Sequence, residues 1–163
     1  FGPYKTTDNV SMALKIKCNY TKTSNIRYPY SVKTHCWKFQ FSNKRDAEKF
    51  CKQRTKDLNN LYISVLDGYT DAVLLVMQRS SRNLDLTRAL EQIQYFIEHP
   101  DYREDVARTE RVCACAISSL VYIYRNTMYC KRLEKQWEKM YQVYFSNLAK
   151  PFCQGSVFIT KCR

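Results

Sequence analysis

Residues 111–130, R-V-C-A-C-A-I-S-S-L-V-Y-I-Y-R-N-T-M-Y-C, decide how the chain folds. Val112, Cys113, Ala116, Ile117, Leu120, Val121 and Tyr124 recur at spacings of three and four. That period puts them on one side of a helix, so the segment predicts a core-facing helix at the centre of the molecule. Cys113 and Cys115 stand two positions apart, which on a helix turns them about 200° from each other. They are therefore expected to reach two different neighbours. The helix should end or kink at residues 125–127.

Working outward, the same period continues on both sides. Ala47, Phe50, Cys51, Leu58, Leu61, Tyr62, Val65 and Leu66 predict a helix entered through Ser42 and Asn43 and running toward Met77 or bending at Gly68. Leu86, Leu90, Ile93, Phe96 and Ile97 predict another, stopped by His99 and Pro100. Asp101 and Glu104 have a capping-box-like spacing ahead of the central helix. Leu133, Trp137, Met140, Tyr141, Tyr144 and Leu148 make the last stripe, ended by Pro151. Nearer the N-terminus, residues 11–20 alternate apolar and polar, as do residues 33–41. Residues 156–162 have strand composition. These three runs predict a small antiparallel sheet.

The expected fold is mainly α, of the α+β class: a disulfide-stapled bundle of four to five helices with a small antiparallel sheet. The 163 residues are read as one domain. Residues 1–42 form its arm and strands, 43–150 its helical bundle, and 151–163 a tail or strand.

Eight cysteines, Cys18, Cys36, Cys51, Cys113, Cys115, Cys130, Cys153 and Cys162, are many for such a length, and the number is even. Zinc sites favour paired short spacings, which this chain lacks, so disulfides are the expected use. Eight cysteines allow 105 connectivities. Geometry removes Cys115–Cys130, since those two lie about 22 Å apart on an unbroken helix and a disulfide wants roughly 5.5 Å between Cα atoms. Cys130 is expected to reach an N-terminal segment or the tail. Cys51 is expected to face Cys113 or Cys115. A Cys18–Cys36 bond would need a bulge. Asn9-Val10-Ser11 and Asn19-Tyr20-Thr21 are glycosylation triplets. Phe1-Gly2-Pro3-Tyr4 has the look of a mature terminus. The apolar runs at 72–77 and 114–124 are too short to span a bilayer. A secreted, extracellular protein is the expectation.

The net charge of +12 is unevenly placed. Residues 1–56 carry +10, residues 57–112 carry −4 and residues 113–163 carry +6. If the two basic ends meet, they make one positive face, and such asymmetry points to a polyanionic partner. Arg45, Lys49, Lys52 and Lys56 are spaced to share one helix face. Lys131, Lys135 and Lys139, with Arg132 beside them, do the same on the last helix. Regular cations on a rigid helix can meet repeating sulfates or phosphates. An extracellular setting favours a sulfated glycan, an anionic membrane or an acidic protein over DNA.

No phosphate-binding glycine loop, nucleophile elbow or HExxH is present, so no enzyme, cofactor or metal is expected. His35 lies in an aromatic strand, and His99 sits where a cation suits a helix C-terminus. A two-histidine ribonuclease would need both to converge with a lysine, and the helical bulk argues against it. The expected function is a non-enzymatic basic binding protein, suited by compartment and charge to a host-modulating effector of the salivary or venom type. Two alternatives stand beside it. One is a helical cytokine-like receptor ligand. The other is a carrier of a small lipid or amine in a pocket lined by Tyr122, Tyr124, Tyr129, Tyr141 and Tyr144.

Overall fold

A computed structural model describes residues 16–79, 84–98, 106–127, 131–146 and 157–161. Four helices dominate it: α1 (Lys44–Arg79), α2 (Leu84–Glu98), α3 (Val106–Arg125) and α4 (Lys131–Tyr141), the last running into a short π-helix at Gln142–Ser146. Four strands, β1 (Thr21–Lys22), β2 (Tyr30–Lys33), β3 (Trp37–Phe41) and β4 (Val157–Lys161), pair in that order as one antiparallel sheet. The protein is thus mainly helical with a small antiparallel sheet.

The central helix is where the periodicity places it. Val112, Cys113, Ala116, Ile117, Leu120 and Tyr124 are buried, and α3 packs on α1, α2 and α4. It stops where Asn126 and Thr127 turn back: the Asn126 amide and Thr127 Oγ1 donate to the carbonyls of Tyr122 and Ile123. These bonds satisfy the carbonyls that a helix end leaves open. Asp101 and Glu104 lie outside the described residues.

α1 starts at the expected cap. Asn43 Oδ1 accepts from the Asp46 amide at 2.8 Å, and Asn43 Nδ2 donates to the Asp46 carboxylate at 2.9 Å. The helix then runs 36 residues, about 54 Å, unbroken through Gly68. Gly68 is instead a contact point. A Cβ there would overlap the Trp137 ring of α4, and Gly68 O accepts from Tyr124 Oη. The first turns of α1 cover the sheet through Ala47, Phe50 and Cys51, with Phe50 tilted on Phe39 at 4.5 Å. From Leu58 to Val76 it packs on the other helices.

Two strand expectations are corrected. Residues 33–41 do not form one strand: a turn splits them, because Thr34 Oγ1 accepts from the Trp37 amide and donates to the Trp37 carbonyl. That side chain offers the backbone a tight alternative to continuing the ladder. Of the strand expected over residues 11–20, residues 11–15 lie outside the described residues and residues 16–20 are not a strand. They lie along α1, with the Cys18 amide donating to Thr55 Oγ1 at 2.9 Å and Asn59 Nδ2 donating to the Ile16 carbonyl at 3.1 Å. The alternation itself is right, since Ile16 and Cys18 are buried while Lys17 and Asn19 are exposed. Helix side chains took the place of a neighbouring strand. The tail does return to the N-terminal sheet, as β4 against β3.

Candidate functional site

Arg45, Lys49, Lys52 and Lys56 are all exposed on α1, and Lys131, Arg132, Lys135 and Lys139 on α4. Among the described residues none of the eight pairs with a carboxylate; the ion pairs seen there are Lys44–Glu48, Arg54–Glu110, and Arg125 with Glu134 and Glu138. Lys17, missed as a candidate, joins Lys52 in a cleft where residues 16–20 lie on α1. The two stripes do not merge. Trp137 sits on Gly68 and Tyr144 sits on Arg54, so α4 runs antiparallel to α1. Lys139 lines a groove with Arg54 and Asp57. Asp46, Glu48 and Asp57 stand on the first half of α1 beside its stripe, and Asp67 and Asp71 are exposed on the second half. β4 brings the C-terminal end beside the N-terminal strands, but not onto one positive face: Lys33 and Lys38, both of the N-terminal end, are direct cross-strand partners on one face of the sheet. Lys161 comes to the opposite face, paired with Trp37.

A second feature lies between α1 and α4. Arg54 is 2% exposed and donates through Nη2 to the Glu110 carboxylate, which also accepts from the His35 amide. The Tyr144 ring covers the guanidinium at 4.1 Å. Arg54 Nε and Nη1, Glu110 Oε1, Thr109 Oγ1 and Tyr144 Oη are buried without a hydrogen-bond partner among the described residues. Burial holds the Glu110 carboxyl above the usual carboxylate range, with Arg54 pulling it back. Burial first, and Glu110 next, push the Tyr144 hydroxyl up. A groove of about 530 Å³ opens from Arg54 and Tyr144 to solvent, walled by Leu61, Met140 and Val143, with Asp57 and Lys139 at its sides. Both ion-pair residues carried a readable signal. Arg54 falls on the stripe of Cys51, Leu58 and Leu61, and Glu110 on that of Cys113 and Ile117. A charge on each apolar stripe, of opposite sign, predicts a buried pair.

The cysteines take unexpected places. Cys51 faces Cys18, not Cys113 or Cys115, because residues 16–20 occupy its side of α1. The two thiols share one cleft and shift each other's pKa: Cys18 is pushed up, by Cys51 first and by burial, and Cys51 is lowered by Cys18. Cys113 is sealed in the core, and burial pushes its thiol up. Cys115 is half-buried on the other side of α3, beside a groove it shares with His35, Tyr122 and Tyr141. Cys36 stands in the turn between β2 and β3. No disulfide joins two of the described cysteines. Cys130, Cys153 and Cys162 lie outside the described residues, as do Asn9, His99 and Tyr129.

The tyrosines do not gather on one pocket. Tyr124 points to Gly68, Tyr144 covers Arg54, and Tyr122 and Tyr141 border the groove beside Cys115. His35 packs edge-on to Phe145, and burial and then Arg111 lower its pKa. Among the described residues no three metal-ligating side chains converge, and no helix is long and apolar enough to cross a membrane. Comparison with protein-family models, curated proteins and solved structures finds no match, so the functional reading rests on these residues and their geometry.

Proposed function

We propose that this is a secreted, non-enzymatic binding protein whose basic face on the first half of α1 engages a sulfated glycan. One observation carries the reading: Arg45, Lys49, Lys52 and Lys56 are exposed on one helix face with no carboxylate partner among the described residues, and Lys17 extends them. A rigid helix holds these charges in place before the target arrives, so little ordering cost is incurred on binding. Each contact with a sulfate releases counterions, which makes the affinity fall with salt. Heparin chromatography tests this. The parent should elute well above physiological salt. A Lys49→Ser/Lys52→Ser variant should lose about tenfold in affinity, on the scale of two anion contacts, and a Lys131→Ser/Lys135→Ser variant should lose much less. Equal losses from both variants, or elution of the parent at physiological salt, would leave the charge a matter of solubility.

Disulfide stapling belongs to the same reading. Cys18 and Cys51 share one cleft, and in an oxidising compartment a two-electron oxidant of that compartment would join them with loss of both thiol protons, fastening residues 16–20 to α1 at the edge of the basic face. Closing this loop should add roughly 3–4 kcal/mol by the chain-entropy relation. Peptide mapping without reductant should find Cys18 linked to Cys51, and urea unfolding should lose that increment in Cys18→Ser/Cys51→Ser. A map that pairs Cys51 with Cys113 or Cys115 would refute it.

A further inference from the structure

We infer that the groove between α1 and α4 binds a small amphipathic carboxylate, its head on Arg54 and Tyr144 and its apolar body along Leu61, Met140 and Val143. This site is separate from the basic face proposed above and does not depend on it.

Two buried side chains hold donors that have no acceptor among the described residues. Arg54 is almost wholly buried, yet only Nη2 is engaged, and Nε, Nη1 and the Tyr144 hydroxyl lack partners among the described residues. Buried donors left unmet are costly, and such groups are normally satisfied by protein, water or ligand. Arg54 and Tyr144 both line the groove, with the Tyr144 ring laid over the guanidinium, so an acceptor from outside meets the donors when that ring turns aside. A carboxylate brings two acceptor oxygens and suits a guanidinium better than any neutral head. An amine would bring more donors to a place already supplied with them.

The remainder of the groove selects the body of the ligand. Val143 is 57% exposed, a large apolar side chain turned to solvent on the wall. Leu61 and Met140 continue that surface inward, and methionine adapts readily to differing shapes. A volume of about 530 Å³ lies within the range of small-molecule sites. Four charged groups bear on the head. Glu110 holds Arg54 from behind, while Asp57 and Lys139 flank the groove with opposite signs. The formal sum is zero, so preference for an anion must come from the directed donors rather than from net charge.

Calorimetric titration of the full chain with dodecanoate, dodecanol and dodecylamine, each kept below its micelle-forming concentration, tests this. Dodecanoate should bind one to one, about tenfold or more tighter than either of the others, the increment of one charge-assisted hydrogen bond. Val143→Asp, at an exposed position, should leave the melting temperature unchanged and weaken dodecanoate about tenfold or more. Arg54→Met/Glu110→Leu should abolish the preference for carboxylate over alcohol. Lys49→Ser/Lys52→Ser should bind dodecanoate like the parent, which separates this site from the glycan face. Absence of dodecanoate binding, equal binding of dodecylamine, or full binding by Val143→Asp would each overturn the inference and leave the unpartnered donors to water.

Discussion

Arg54→Met should lower stability by about 3–5 kcal/mol at neutral pH, and adding Glu110→Leu should restore most of the loss. Neither partner can reach bulk water, since both side chains are 1% exposed. Removing the guanidinium leaves a carboxylate buried with only the weak His35 amide bond at 3.4 Å. Removing both charges leaves an apolar contact between α1 and α3, and buried pairs replaced in this way often lose little. Urea unfolding of the parent, the single variant and the double variant would measure this directly. A single variant as stable as the double would mean that the pair is not buried as described.

The pH dependence of Arg54→Met follows from Glu110. Burial raises its pKa and Arg54 lowers it, so the variant raises it further. Between the ordinary carboxylate value and that raised value, the folded variant holds a proton that the unfolded chain has released. More protons are bound in the folded state there, so stability falls as pH rises. The deficit of Arg54→Met should therefore grow from acid toward neutral pH, and it should grow less in the double variant.

Trp137→Ala should cost about 3–5 kcal/mol, the range for deleting a buried large aromatic. Gly68→Ala, which in an open helix would gain up to about 1 kcal/mol, should here cost about 1–3 kcal/mol by overpacking. The reason is shared: the Trp137 ring lies where the new methyl would go, with Leu120 closing the other side. The two losses should be markedly less than additive, because removing the ring makes room for the methyl. A denaturant double-mutant cycle reads this coupling. Additive losses would show that the ring does not rest on Gly68.

What was legible in the sequence was whatever depends on near neighbours. The period of Val112, Ala116 and Leu120 gave the central helix, the Asn43 cap gave the start of α1, and the charge spacing gave the exposed stripe. Three features depend on distant ones. Cys18 meets Cys51 only because Thr55 and Asn59 draw residues 16–20 onto α1. Arg54 and Glu110 are 56 positions apart, and only the packing of two helices makes them partners. The groove needs the antiparallel register of α4 on α1, which Trp137 and Gly68 set. Thr34 is an intermediate case. Its turn is local, but it is written in a hydroxyl and not in the hydrophobic pattern that predicted a strand.

α1 serves the sheet with its first turns and the helical core with the rest, and its helix is unbroken between them. Its two ends are therefore locked in angular phase. One residue added or lost between Cys51 and Leu58 would rotate everything beyond by about 100° while moving it only about 1.5 Å along the axis. The sheet-facing side chains would stay seated and the core-facing ones would swing toward solvent, or the reverse. A substitution on the exposed side of this segment leaves that phase untouched, whereas a change in its length does not.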